Sequence, residues 1–181
     1  MSAATELRPD FDREFEVVDG KREMKEAAGA RQGGITARLL GKIGLYVEDN
    51  FLGGVYTPDT TFLVGSNERL PDIGFVAADR IPEDGEPESM WTIAPDLAVE
   101  VVSPNDLLEK VTAKINNYFA ADVREVWLVS PEHQIITIYH SPTRTTILTA
   151  EDELTSEELL PGFRCQIKEI FQPSIRRQAK Q

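Results

Sequence analysis

Two carboxylates stand out by the residues around them. Asp72 heads the run Pro71-Asp72-Ile73-Gly74-Phe75-Val76, and Glu100 sits within Pro95-Asp96-Leu97-Ala98-Val99-Glu100-Val101-Val102-Ser103. Short apolar runs bounded by proline and turn residues read as buried strands. Strand side chains alternate between faces. Leu97, Val99 and Val101 therefore share one side, and Asp96, Ala98, Glu100 and Val102 the other. That pattern sets Glu100 among small neighbours rather than in water. A buried carboxylate is costly unless it is paired, protonated or bound to a metal. With Asp72 at the end of the neighbouring strand, two oxygen ligands converge on one point. Hard cations such as magnesium favour such sites, with one or two carboxylates, waters and substrate phosphate.

The elements that must position these groups can be read in order. Residues 14–26 form a β-hairpin: Phe15 to Val18 is one arm, Asp19-Gly20 the turn and Lys21 to Lys25 the other arm. Residues 33–49 read as a helix, since Ile35, Leu39, Ile43 and Val47 recur every fourth position. Short strands at 55–57 and 61–64 flank the Pro58-Asp59 turn, and a proline- and acid-rich loop, 82–89, interrupts the central stretch. A second helix is expected from Asp106 to Ala121, capped by Asn105. A strand at 124–129 completes a strand–helix–strand crossover, the unit that joins parallel strands. Residues 134–139 and 145–149 close the sheet as a meander, a short strand follows Gly162-Phe163, and 167–171 make a last helical turn.

On the second helix, Leu107, Leu108, Val111, Ile115, Tyr118 and Phe119 define the face expected to be buried. Lys114 falls at its rim and Lys110 further towards solvent, so Lys114 is the lysine able to lean over the sheet. The same position suits a lysine that lays its stem on the core and its ammonium in water.

Composition narrows the class. At 181 residues, with 41% hydrophobic and 28% charged residues, the chain fits one soluble domain. We expect a lead-in over 1–13, a single domain over 14–172 and a mobile basic tail over 173–181. No apolar run approaches a membrane span, no secretory leader is recognisable, and the single Cys165 excludes an internal disulfide. These features point to the cytoplasm. The net charge of −12 argues against broad electrostatic attraction to nucleic acid, which rests on Lys and Arg. The acidic clusters at 83–88 and 151–158 read as solvated surface. His133 and His140, beside prolines, read as surface residues, Trp91 and Trp127 as core aromatics, and Cys165 as a packed small side chain.

The ordered segments Phe-Glu-Val-Val-Asp-Gly (15–20), Pro-Asp-Thr-Thr-Phe (58–62), Arg-Leu-Pro-Asp-Ile-Gly-Phe-Val (69–76), Ala-Pro-Asp-Leu-Ala-Val-Glu-Val-Val-Ser-Pro (94–104), Lys-X3-Tyr (114–118) and Val-Arg-Glu-Val-Trp-Leu-Val (123–129) carry a likeness to a known family. Together the chain resembles the bacterial putative restriction endonuclease family of the PD-(D/E)XK nuclease superfamily. The resemblance implies an α/β, restriction-endonuclease-like fold: a central mixed β-sheet flanked by helices, with an N-terminal hairpin. It also implies a site for Mg2+ or Mn2+. Asp72 matches the aspartate of the PD motif and Glu100 the second acidic ligand, with the Val101 carbonyl as a further ligand. Val102 stands where the superfamily lysine belongs, and Lys114 on the following helix matches the relocated lysine. Glu16 matches an early glutamate that would position water or a second metal. Gln32 stands where relatives often carry histidine, and Lys21 where glutamate is common. Asp59, by its turn, is a weaker candidate beside the site.

The implied activity is divalent-metal-dependent endonucleolytic hydrolysis of phosphodiester bonds in DNA; cutting a duplex needs either two active sites, as in a homodimer, or sequential nicks. Two other readings stay open on the sequence: a catalytically silent nucleic-acid-binding or scaffold module, and a phosphoesterase acting on a smaller substrate. Fold likeness alone does not choose among them.

Overall fold

The strand Leu97–Val101 divides the molecule into two apolar cores, as its alternation requires. The computed structural model describes residues 15–103 and 106–172. The lead-in over 1–13, Asn105 and the tail over 173–181 lie outside the described residues. In chain order the strands are β1 (Phe15–Val18), β2 (Lys21–Met24), β3 (Gly53–Tyr56), β4 (Phe62–Val64), β5 (Asn67–Arg69), β6 (Ile73–Ala77), β7 (Leu97–Val101), β8 (Glu125–Ser130), β9 (Ile135–Ser141), β10 (Arg144–Leu148), β11 (Glu153–Ser156) and β12 (Leu160–Gln166). The helices are α1 (Ala30–Asp49), α2 (Leu108–Ala120) and α3 (Ile167–Phe171).

The main sheet has the order β10-β9-β8-β7-β6-β3. β7 and β8 are parallel, with Leu97 opposite Glu125 and Val101 opposite Val129, and α2 crosses between them. The other neighbours are antiparallel, so the sheet is mixed. α1 covers one face. Its buried Ile35, Leu39, Ile43 and Val47 pack with Leu97, Val99 and Val101 of β7 and with α3. α2 covers the other face, where Ile115 and Tyr118 pack with Ala98 and Val126. Each of the buried valine, leucine and isoleucine side chains contributes about 1.5–3 kcal/mol.

A smaller sheet, β2-β1-β5-β4, carries the hairpin. Val18 pairs with Lys21 across a two-residue turn, and Asp19 and Gly20 both take positive φ (50° and 74°). This is the turn whose twist suits a hairpin. Gly74 on β6 is required for another reason: a Cβ there would lie 2.6 Å from the Phe62 ring.

The structure departs from the sequence-based expectations in several places. α1 starts at Ala30, a full turn earlier than the apolar stripe suggests. α2 starts at Leu108 with Leu107 in extended backbone, not at Asp106. Leu107 is 62% and Leu108 79% exposed rather than buried. β5 reads as polar in sequence, yet its Asn67 and Arg69 are buried. β11 lies inside the second acidic cluster: Glu153 pairs with Gln166 and accepts a bond from Arg164, while Leu154 is fully buried. β12 begins at Leu160 and contains Gly162-Phe163 rather than following them.

Candidate functional site

Glu100 is the first fixed point. The alternation of β7 turns its side chain towards α2, where Lys114 and Tyr118 project from successive turns. The Tyr118 hydroxyl donates to Glu100 Oε1 at 2.6 Å. Lys114 Nζ lies 2.9 Å from Glu100 Oε1 and 3.0 Å from Oε2. The same ammonium reaches Glu16 Oε1 at 2.8 Å. Lys110, as its angle predicts, stays outside and meets Glu23 at 3.2 Å on the surface.

Glu16 comes from β1 of the small sheet and is 9% exposed. Arg69 of β5 donates to its Oε2 at 2.9 Å, and the Leu70 N–H to its Oε1 at 2.9 Å. A second guanidinium nitrogen of Arg69 donates to Asn117 Oδ1, which also accepts from Asn67 Nδ2 at 3.2 Å. The small sheet is thus bolted to α2 through Glu16, Arg69 and Asn117.

Asp72 lies just before β6. Its Oδ2 accepts the Val101 N–H at 2.7 Å, which ties it to the residue following Glu100. Its Oδ1 faces the Lys25 ammonium at 3.2 Å. Gln32 from the first turn of α1 donates to the carbonyl of the same residue, Val101, at 2.6 Å. A cleft of about 750 Å³ opens here, with Lys25, Gln32, Thr36, Thr57, Pro58 and Asp72 among its lining.

The electrostatics differ between the two glutamates. Burial pushes the Glu100 carboxyl upward, and the neighbouring Asp72 and Glu16 carboxylates add to this beyond what Lys114 and Tyr118 offset. Burial acts on Glu16 too, but Lys114, the Leu70 N–H and Arg69 outweigh it and hold that carboxyl below its ordinary value. Burial disfavours the Lys114 ammonium, yet Glu100 and Glu16 together raise its pKa, so it stays charged. Burial and the adjacent carboxylates push the Tyr118 hydroxyl far up, so it remains a donor.

Six of the residues singled out from sequence therefore meet: Glu16, Gln32, Asp72, Glu100, Val101 and Lys114 form one contiguous set. Asp59 stays in its turn, accepting from the Thr57 hydroxyl. His133 faces Ser130, and His140 lies between Glu125 and Thr146, away from the set. Lys25, Arg69 and Asn117 are not among the candidates the sequence offers, and Tyr118 appears there only on the buried face and as the end of the Lys-X3-Tyr segment. Its position four residues after Lys114 was the available signal. Lys25, just past the hairpin, and Arg69, in a polar triplet, carried none.

The oxygens able to hold a divalent cation are those of Asp72, Glu100 and the Val101 carbonyl. They suit a hard cation by chemistry, and positive or donor groups already stand at each: Lys25, Lys114 with Tyr118, and Gln32. Among the described residues no group of three or more His, Cys, Asp or Glu side chains converges as a metal cluster. A cation here would therefore complete its shell with water and substrate.

The mixed sheet, its crossover helix and the hairpin form a nuclease fold. A crystal structure of a putative nuclease belonging to DUF820 from Anabaena variabilis matches it with a TM-score of 0.78. The identity is 23%, and the match covers 87% of this chain and 89% of that one. The sequence places it more narrowly: the chain belongs to the Uma2 family, described as putative restriction endonucleases, which matches residues 6–168. No curated protein matches the chain. No helix among the described residues is long and apolar enough to cross a membrane.

Proposed function

We propose that the chain is a divalent-metal-dependent endonuclease hydrolysing phosphodiester bonds in DNA, folded as one domain over 14–172 and working in the cytoplasm. The single observation that carries this is the Lys114 ammonium, held at 2.8–3.0 Å by Glu16 and Glu100 beside Asp72. Asp72, Glu100 and the Val101 carbonyl would hold Mg2+ or Mn2+. Such a cation supplies an activated water and offsets charge on the phosphate. Lys114 keeps its proton and presents a fixed positive charge where the phosphate gains negative charge. Glu16, clamped by Arg69 and Leu70, orients that ammonium. Gln32 fixes the direction of the Val101 carbonyl, and Asp72 is aimed by the Val101 N–H. The cleft beside Asp72 would admit the substrate strand. Cutting both strands of a duplex calls for two such sites, which a homodimer supplies, or for successive nicks.

A test is incubation of the purified protein with supercoiled plasmid and with single-stranded DNA, in Mn2+, Mg2+ or EDTA. Asp72→Ala and Lys114→Ala variants run alongside. Metal-dependent nicking absent from both variants supports the reading. A second reading, a catalytically silent nucleic-acid-binding or scaffold module, is favoured by the protein donors already capping each ligand oxygen; the net charge of −12 suits its scaffold form. It gains if wild type and variants are equally inert in every metal.

A further inference from the structure

Lys25 emerges from the end of β2 into a stretch without regular structure, residues 25–29. Its ammonium meets Leu70 O at 2.9 Å, Pro58 O at 3.2 Å and Asp72 Oδ1 at 3.2 Å. An ammonium has three protons and no acceptor, and each proton here has an oxygen. One carboxylate oxygen and two carbonyls are also the kind of donors a hard cation takes. We propose that Lys25 is a tethered competitor for the cation at Asp72, so that the chain itself limits how tightly a divalent metal is held. This rests on the reading of Asp72 as a metal ligand.

Asp72 Oδ2 is committed to the Val101 N–H at 2.7 Å. Oδ1 is the remaining oxygen, and Lys25 holds it. An ammonium and a divalent cation at one oxygen repel, so one displaces the other. The other capping donors behave differently. Gln32 is a neutral amide, and a neutral hydrogen bond is about half as strong as a charge-assisted one. Lys114 keeps Glu16 as a second anchor when Glu100 turns to a metal. Among the described residues, Lys25 has only the neutral Pro58 and Leu70 carbonyls as its other partners, so Asp72 is the one carboxylate it meets at hydrogen-bond distance and a metal there leaves it without an ion pair. It has somewhere to go, because it lines the cleft of about 750 Å³.

The test is Mn2+ binding to metal-free protein, by calorimetry and by the electron paramagnetic resonance of free Mn2+. Wild type is compared with Lys25→Met, Lys25→Gln and Asp72→Asn. Lys21→Met, exposed on β2, controls for loss of one positive charge, and thermal melts report folding of each variant. Competition predicts Mn2+ binding about tenfold tighter in both Lys25 variants, equivalent to about 1.4 kcal/mol, and nearly unchanged in Lys21→Met. Lys25 variants that bind no tighter than Lys21→Met, with binding still lost in Asp72→Asn, overturn this inference alone. Absence of Mn2+ binding in every protein, or equal binding in Asp72→Asn, overturns the metal-site reading and this inference with it.

Discussion

Lys114 Nζ stands 2.8 Å from Glu16 and 2.9 Å from Glu100, so one ammonium joins a carboxylate of the small sheet to one of the main sheet. Replacing it leaves two buried carboxylates facing each other. Removing one partner of a buried ion pair costs about 3–5 kcal/mol. We predict that Lys114→Met melts several degrees below wild type. DNA nicking should fall by about 10²–10³ fold, as when one preorganised charge-stabilising group is lost. Arg at 114 should restore the melting temperature more than the activity, since its planar fork cannot reproduce a point charge between two acceptors. Nicking that survives Lys114→Met at the wild-type rate would remove Lys114 from the chemistry.

The two glutamates make a pH prediction of opposite sign in metal-free protein. Glu16 sits below its ordinary pKa of 4.5. Its ionised form therefore stabilises the fold above that value, and the contribution fades as pH falls through the depressed one. Glu100 sits above 4.5. Its protonated form is the favoured one, and that contribution is lost as pH rises through the elevated value. At pH 7–8, Glu16→Gln should melt below wild type and Glu100→Gln at or above it. Both should approach wild type as pH is lowered below 4.5. Each kcal/mol corresponds to roughly 2–4 °C for a chain of this size. Parallel shifts of the two variants across the pH range would contradict the assignment.

Asp72→Asn keeps an oxygen for the Val101 N–H but loses the anionic oxygen facing Lys25. The metal-free melting temperature should fall by several degrees, since the Lys25 ammonium loses its carboxylate partner. The stabilisation that Mn2+ gives wild type, about 2.7 kcal/mol at a hundred times its Kd, should disappear. Nicking should disappear with it. A variant that is still stabilised by Mn2+ would place the cation elsewhere.

Gly74 is two residues past Asp72, and an added Cβ would press into the Phe62 ring at 2.6 Å. Gly74→Ala should destabilise the protein by about 1–3 kcal/mol, the usual cost of overpacking a core. It should also weaken metal binding, because β6 carries Asp72 at its start. Unchanged melting with unchanged Mn2+ affinity would show that β6 yields at this point.

Much of the fold was readable because burial writes a period into the chain. Val99 and Ala98 alternate between two cores, and Ile35, Leu39, Ile43 and Val47 trace one stripe. The crossover through α2 and the Asp19-Gly20 turn were equally legible. Where polar residues are buried, the signal inverts. Asn67 and Arg69 look like surface and are interior, since their partners Asn117 and Glu16 lie far away in sequence. Leu107 and Leu108 look like core and are exposed, because the helical angle fixes a face but not which residues along it are covered, and Leu107 lies outside the helix. The site shows the same limit. Asp72, Glu100 and Lys114 stood out by residue type and rim position, whereas Lys25 acquires meaning only through the carbonyls of Pro58 and Leu70, which no side-chain pattern encodes.

The bond between Arg69 and Glu16 spans 53 positions, and the one between Gln32 and the Val101 carbonyl spans 69. Contacts that distant form only after the intervening chain has collapsed. The first arm of the hairpin and the fourth strand of the main sheet must already be docked before Lys114 has anything to bridge. During synthesis, then, a growing chain that has emerged only as far as Ser103 already exposes Asp72 and Glu100 but has no lysine between them. On the proposed reading, cutting power arrives late, with α2, which keeps an unfinished nuclease harmless to the nucleic acid around it.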